Sequence, residues 1–97
     1  MALPNFLQPY LASYDLSKLN KDNSSVRKEV ITQVLNSGDD KAIRWLFGTY
    51  SQKTIKNILH KPKRGAWFKD SLSYWQRILG IKIPFSLVQK AIFDLNR

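Results

Sequence analysis

Apolar residues recur along this chain at helical spacing, and turn residues cut the pattern into short blocks. Val26, Val30, Ile31, Val34 and Leu35 fall at i, i+4, i+5, i+8 and i+9, which predicts an amphipathic helix. Asn23, Ser24 or Ser25 can cap its start, and Asn36-Ser37-Gly38 ends it at a glycine, the residue that best tolerates a helix terminus. Asp39 and Asp40 begin the next helix and bring negative charge to its positive end. Ile43, Leu46, Phe47 and Tyr50 form its stripe, which Trp45 widens. Ser51 caps a helix that carries Ile55, Ile58 and Leu59 and stops at Pro62. Asp70 or Ser71 caps another, with Leu72, Trp75, Ile78 and Leu79 on one side and Gly80 at its close. Pro84 suits the first position of a last helix built on Phe85, Val88, Ile92 and Leu95.

The beginning of the chain is less regular. Leu3, Phe6, Leu7, Tyr10, Leu11 and Tyr14 share a helical face, but Pro9 breaks it into a short helix or turn followed by a second short helix. Asp15 to Ser25 is mostly polar, with Leu16 and Leu19 placed to pin it to a core. Ile81-Lys82-Ile83 is too short for a strand, and no repeat or low-complexity tract occurs. The expectation is an all-α domain over 1–97, a compact bundle of five to six short helices.

Composition narrows the possibilities. At 97 residues the chain has room for one small core and no cleft between two lobes. It has no cysteine, so disulfides and thiolate metal sites are excluded, and its single histidine, His60, leaves no zinc cluster. No cofactor motif is present. Asp39, Asp40 and Asp70 are accounted for by helix starts, His60 has no acid near it in sequence, and no nucleophile-base signature or phosphate-cradling glycine loop occurs. A non-enzymatic protein is expected. Met1 to Ser13 lacks the basic start of a signal peptide, and no run of 18 apolar residues could span a bilayer. These features fit a cytoplasmic protein without a membrane partner.

Charge supplies the positive clue. Sixteen Lys+Arg stand against seven Asp+Glu, a net +9. An excess this large on a small domain suits an anionic partner, while a solvated surface is the plain alternative. Half of the basic residues lie in one acid-free run: Lys41, Arg44, Lys53, Lys56, Lys61, Lys63, Arg64 and Lys69. Lys53, Lys56, Asn57 and His60, at i, i+3, i+4 and i+7, share the helix face opposite Ile55, Ile58 and Leu59. Asp40 to Phe47, the turn Gly48-Thr49-Tyr50 and this basic helix together have helix-turn-helix spacing. On that reading lysine meets phosphate or guanine, and Asn57 can read adenine. Two helices around a glycine turn also occur in many domains that never touch DNA. In the loop that follows, Pro62-Lys63-Arg64-Gly65 falls short of a minor-groove hook because Ala66 stands where a second arginine belongs. Trp67 and Phe68, flanked by Arg64 and Lys69, can stack on a base or fold back as a hydrophobic staple, the commoner fate.

Several segments resemble a small helical family of bacteria and archaea. They are Tyr14-Asp15-Leu16-Ser17-Lys18-Leu19-Asn20, Val34-Leu35-Asn36-Ser37-Gly38-Asp39, Ala42-Ile43-Arg44-Trp45-Leu46 with Tyr50, Ile55 and Leu59, and Phe68 to Trp75 with Leu79-Gly80-Ile81. Members of that family are often encoded beside a nucleotidyltransferase toxin of the abortive-infection type, so the resemblance implies an antitoxin-like regulator. It covers about Leu11 to Ile83, rests on core and turn positions, and carries over no catalytic residue. The tail from Pro84 to Arg97 lies outside it.

The leading expectation is an antitoxin-type regulator that binds DNA through Lys53, Lys56, Asn57, His60, Lys61, Lys63, Arg64 and Lys69, with Trp67 as a stacking ring. The alternative is a module whose basic face neutralises an acidic partner, such as the toxin, without binding DNA. RNA binding through Trp67 and Phe68 comes third. A homodimer would use Leu3 to Leu11 or Phe85 to Leu95, segments that serve equally well as core.

Overall fold

In the computed structural model, which describes residues 3–93, the chain forms two 3-10 helices, Asn5–Tyr10 and Leu16–Lys18, and then five α-helices. These are α1 (Ser24–Ser37), α2 (Asp40–Thr49), α3 (Gln52–His60), α4 (Lys69–Leu79) and α5 (Phe85–Ala91). The all-α expectation holds: the described residues contain no strand, only one isolated bridge between Trp67 and Ile92. The Cα radius of gyration is 13.1 Å, close to the roughly 13 Å of a packed domain of this length.

Helix α1 is the hub. The first 3-10 helix, α2, α3 and α4 all pack on it, and Val30, Ile31, Thr32, Val34 and Leu35 are buried at the centre. Around them lie Leu7, Leu11, Leu46, Ile55, Leu59, Trp67 and Leu72, each essentially without exposure. Apolar area removed from water at about 25 cal/mol per Å² is the main stabilising contribution here. Trp75 Nε1 donates to the Leu35 carbonyl at 2.7 Å and fastens α4 to the end of α1. Edge-to-face contacts of Trp45 with Phe6 and Tyr50 join α2 to its neighbours.

Caps decide where the first three α-helices begin. The Asn23 side chain accepts from the Ser25 and Val26 N–H groups, Asp39 accepts from Ala42, and Ser51 accepts from Thr54. Gly38 ends α1, though in extended backbone rather than a left-handed turn. Close approach is what requires glycine there, because a Cβ would meet the Val34 carbonyl oxygen at 2.5 Å. Gly80 does use the left-handed region, at φ 64°, where it closes α4.

Several sequence expectations change. Pro9 lies inside the first 3-10 helix, and the second short helix is Leu16–Lys18, further along than the apolar spacing suggested. Helix α2 continues through Gly48 and Thr49, leaving only Tyr50 and Ser51 between α2 and α3. Helix α4 starts at Lys69, with neither Asp70 nor Ser71 as its cap. Pro84 precedes α5 instead of opening it, and α5 ends before Ile92, which joins the bridge to Trp67. Ile78 is 55% exposed and Phe85 74% exposed, so neither belongs to the core that the spacing assigned them. Leu95 lies outside the described residues.

Candidate nucleic-acid interface

Helix α3 presents its two sides as its spacing requires. Ile55 and Leu59 are fully buried, while Lys53, Asn57 and His60 are exposed. Ser51 fixes the start of the helix: its Oγ accepts from the Thr54 N–H at 3.1 Å and lies 2.9 Å from Thr54 Oγ1. Lys56 is half-buried on one flank. The other flank carries Thr54 and Ile58, since residues two apart on a helix point to opposite sides.

That second flank opens a groove. Thr54, Asn57 and Ile58 of α3 face Ser24, Arg27 and Lys28 at the start of α1 across a volume of about 250 Å³. None of these lining residues is acidic. The two carboxylates nearest in sequence are engaged elsewhere: Asp22 pairs with Lys21 at 3.1 Å, and Glu29 pairs with Lys63. Among the described residues, no ion pair involves Arg27, Lys28, Lys53, Lys56, Lys61 or Arg64. The groove is therefore a cationic surface with an amide, Asn57, at its lip. Arg27 and Lys28 escaped the sequence reading because they sit beside Glu29 in a stretch that is nearly neutral overall. Their i, i+1 position on a helix whose core face was already clear was the available signal.

Nearby, Tyr50 closes the α2–α3 junction. Its hydroxyl donates to the Lys21 carbonyl at 2.9 Å. Burial pushes its pKa up to about 12; the Asp22 charge adds to the rise and the Arg27 charge opposes it.

The acid-free run does not stay together in space. Lys41 lies over the Phe6 ring at 4.8 Å, and Arg44 Nε reaches the Asp40 carbonyl at 3.4 Å, so both belong to α2. Lys63 is tied to Glu29, whose hydrogen bond holds the lysine pKa above its ordinary value, and it borders a different pocket beside Leu11 and Tyr14. Lys69 lines a trough between α4 and α5. Of the expected contacts, Lys53, Asn57 and His60 share the exposed face of α3, Lys56 flanks it, and Lys61 and Arg64 are exposed in the loop that follows. Lys63 and Lys69 face elsewhere.

Trp67 is not a stacking surface. It is 0% exposed, its backbone N–H donates to the Ala91 carbonyl at 2.9 Å, and its backbone carbonyl accepts from the Phe93 N–H at 2.7 Å. The ring fills the core under α5, and Phe68 is left half exposed beside it.

Helices α2 and α3 pack less on each other than each does on α1, and their connection is shorter than the usual three- to four-residue turn of a helix-turn-helix. The pair keeps the order of that motif around a different junction. Among the described residues, no group of three or more metal-ligating side chains gathers, and no helix is long and apolar enough to cross a membrane.

The model of a family of unknown function, DUF6922, matches residues 10–59, the segment that includes α1, α2 and nearly all of α3. That description carries no link to antitoxins or to nucleotidyltransferases. No curated protein and no solved structure matches the chain.

Proposed function

The chain belongs to this family of unknown function, and from that premise we propose that it is a non-enzymatic DNA-binding protein whose contact surface is the α1–α3 face. The observation that carries the reading is the acid-free groove, where Arg27, Lys28 and Asn57 meet with no carboxylate paired to either cation. On this reading Lys53 and His60 extend that face along α3 and the exposed Lys61 and Arg64 follow it in the loop, while Lys56 lies on the far flank of α3. Lysine and arginine bind phosphates and release counterions; Asn57 offers the donor and acceptor that adenine takes in the major groove.

With about five phosphate contacts, the logarithm of the affinity should fall with the logarithm of salt at a slope near −4.5. The test is fluorescence anisotropy on random duplex DNA at low salt. Arg27→Glu with Lys28→Glu should weaken binding at least ten-fold. Lys69→Gln, outside the face, should leave it within two-fold. Equal affinity of the first variant and the parent chain would overturn the reading.

An antitoxin-type role would add a toxin partner to this surface. Co-purification with the product of the neighbouring gene tests that part separately from DNA binding. RNA binding loses its main support with the burial of Trp67.

A further inference from the structure

We propose that the trough between α4 and α5 is a docking site for an acidic amphipathic helix of a partner protein. This site shares no residue with the α1–α3 groove. Its volume is about 840 Å³, the largest of the three hollows described for this molecule. Ile83, Val88 and Ile92 supply apolar lining, Phe85 stands 74% exposed beside them, and Lys69 and Lys82 supply charge.

The trough exists because α5 is attached to the body near one end. Trp67 holds that end through backbone bonds to Ala91 and Phe93, and Gly65 donates to the Lys90 carbonyl at 2.9 Å. At the other end the α4–α5 connection is fixed on α4: the Ile83 N–H donates to Gln76 Oε1 at 3.0 Å and the Ile81 N–H donates to the Gln76 carbonyl at 3.0 Å. Between these fastenings α5 stands away from α4. Both ends of the trough are held by hydrogen bonds, so an occupant would meet a preformed groove and the ordering cost of binding would be small.

Length and charge select the occupant. The lining residues of α4 run from Lys69 to Gln76, about 10 Å, and the seven residues of α5 run about as far, enough to seat roughly two turns of helix. An apolar stripe fills such a groove through anchors at i, i+3, i+4 and i+7. Among the described residues no acid lines the trough, so its two lysines complement carboxylates on the flanks of the incoming helix. A second copy of this chain is a poorer occupant, because it brings a net charge of +9 to a cationic rim.

The probe is a fluorescein-labelled twelve-residue peptide with leucines at helical spacing and glutamates elsewhere; its control has lysine for every glutamate. Anisotropy with the full chain should show binding of the acidic peptide alone. Phe85→Ser and the pair Lys69→Glu with Lys82→Glu should each weaken that binding at least ten-fold. Both variants should keep the parent's thermal melt and its affinity for duplex DNA, which separates this result from the fate of the DNA reading. Equal binding of the two peptides, no binding of the acidic one, or no effect of Phe85→Ser would overturn the proposal. A dimer in sedimentation that Phe85→Ser dissolves would also overturn it, by assigning the trough to a second copy.

Discussion

The helices of residues 10–59 and those after them start in different ways. Asn23, Asp39 and Ser51 cap α1, α2 and α3 from within two or three residues, and Asp15 does the same for the second 3-10 helix. Neither α4 nor α5 has a side-chain cap of its own. Helix α4 takes its start from a residue more than thirty positions back: Asn36 Oδ1 accepts from the Phe68 N–H at 2.9 Å, and its Nδ2 donates to the Ala66 carbonyl at 2.9 Å. Ser71 Oγ returns a bond to the Asn36 carbonyl at 3.0 Å. The starts of α1, α2 and α3 are capped from local sequence, while the start of α4 is held by a residue of α1. Satisfying the free N–H groups of a helix start requires an acceptor, and the acceptor need not be near in sequence.

The strongest way to break this contrast is Trp67→Ala. Removing the buried ring should cost about 3–5 kcal/mol, as large-to-small core changes do. The backbone bonds from position 67 to Ala91 and Phe93 survive the substitution, but the core they rest on loses its largest side chain, so hydrogen exchange should rise in 83–93 before it rises in α1. Equal exchange along the chain would show that α5 is not a separate unit. Asn36→Ala comes next, at about 2 kcal/mol, since it leaves the Phe68 N–H and the Ala66 carbonyl without their partner. Chemical denaturation measures the loss, and amide exchange should locate it at the start of α4.

Ser51→Ala sharpens the other side of the comparison. It should cost about 1 kcal/mol, the usual value of a local cap, and loosen only the first turn of α3. Tyr50→Phe should cost a similar amount or less at neutral pH, as one hydrogen bond is lost. Its diagnostic effect is alkaline. The folded phenol ionises at about 12 against an ordinary 10.0, so the native state holds the proton more tightly. The stability from this group is full below pH 10.0 and declines as pH rises toward about 12. The variant should lose that part of the decline, which denaturant midpoints at successive pH values would show. Smallest of all, Phe85→Ser should move stability by less than about 0.5 kcal/mol, because the ring is already mostly in water.

The same division explains how much could be read from the sequence. The elements of 24–60 were legible because their caps and apolar stripes are local: Asn23, Asp39 and Ser51 act as their types and positions suggest. Errors gather where a distant residue decides. Asp70 and Ser71 were reasonable caps for α4, but Asn36 holds an earlier start. Ile78 and Phe85 have the right spacing for a core, yet both are exposed: Phe85 borders the α4–α5 trough, and Ile78 lies on the side of α4 away from the residues that line it.

The candidate interface divides likewise. Sequence alone determined that α3 has a buried side and a polar, cationic side, because a period of 3.6 residues fixes relative directions on one helix. It also determined the all-α class, through periodicity and capping. Tertiary structure alone decided which cations face the same way. It sent Lys41 to the Phe6 ring, Lys63 to Glu29 and Lys69 to the α4–α5 trough, and it brought Arg27 and Lys28 of α1 to Asn57 of α3. The reason is geometric. Neighbours along a helix keep their mutual angles whatever the helix packs against, whereas residues on different helices meet only as the shared core permits. An unbroken basic run is therefore a property of the chain, and a basic surface is a property of the fold.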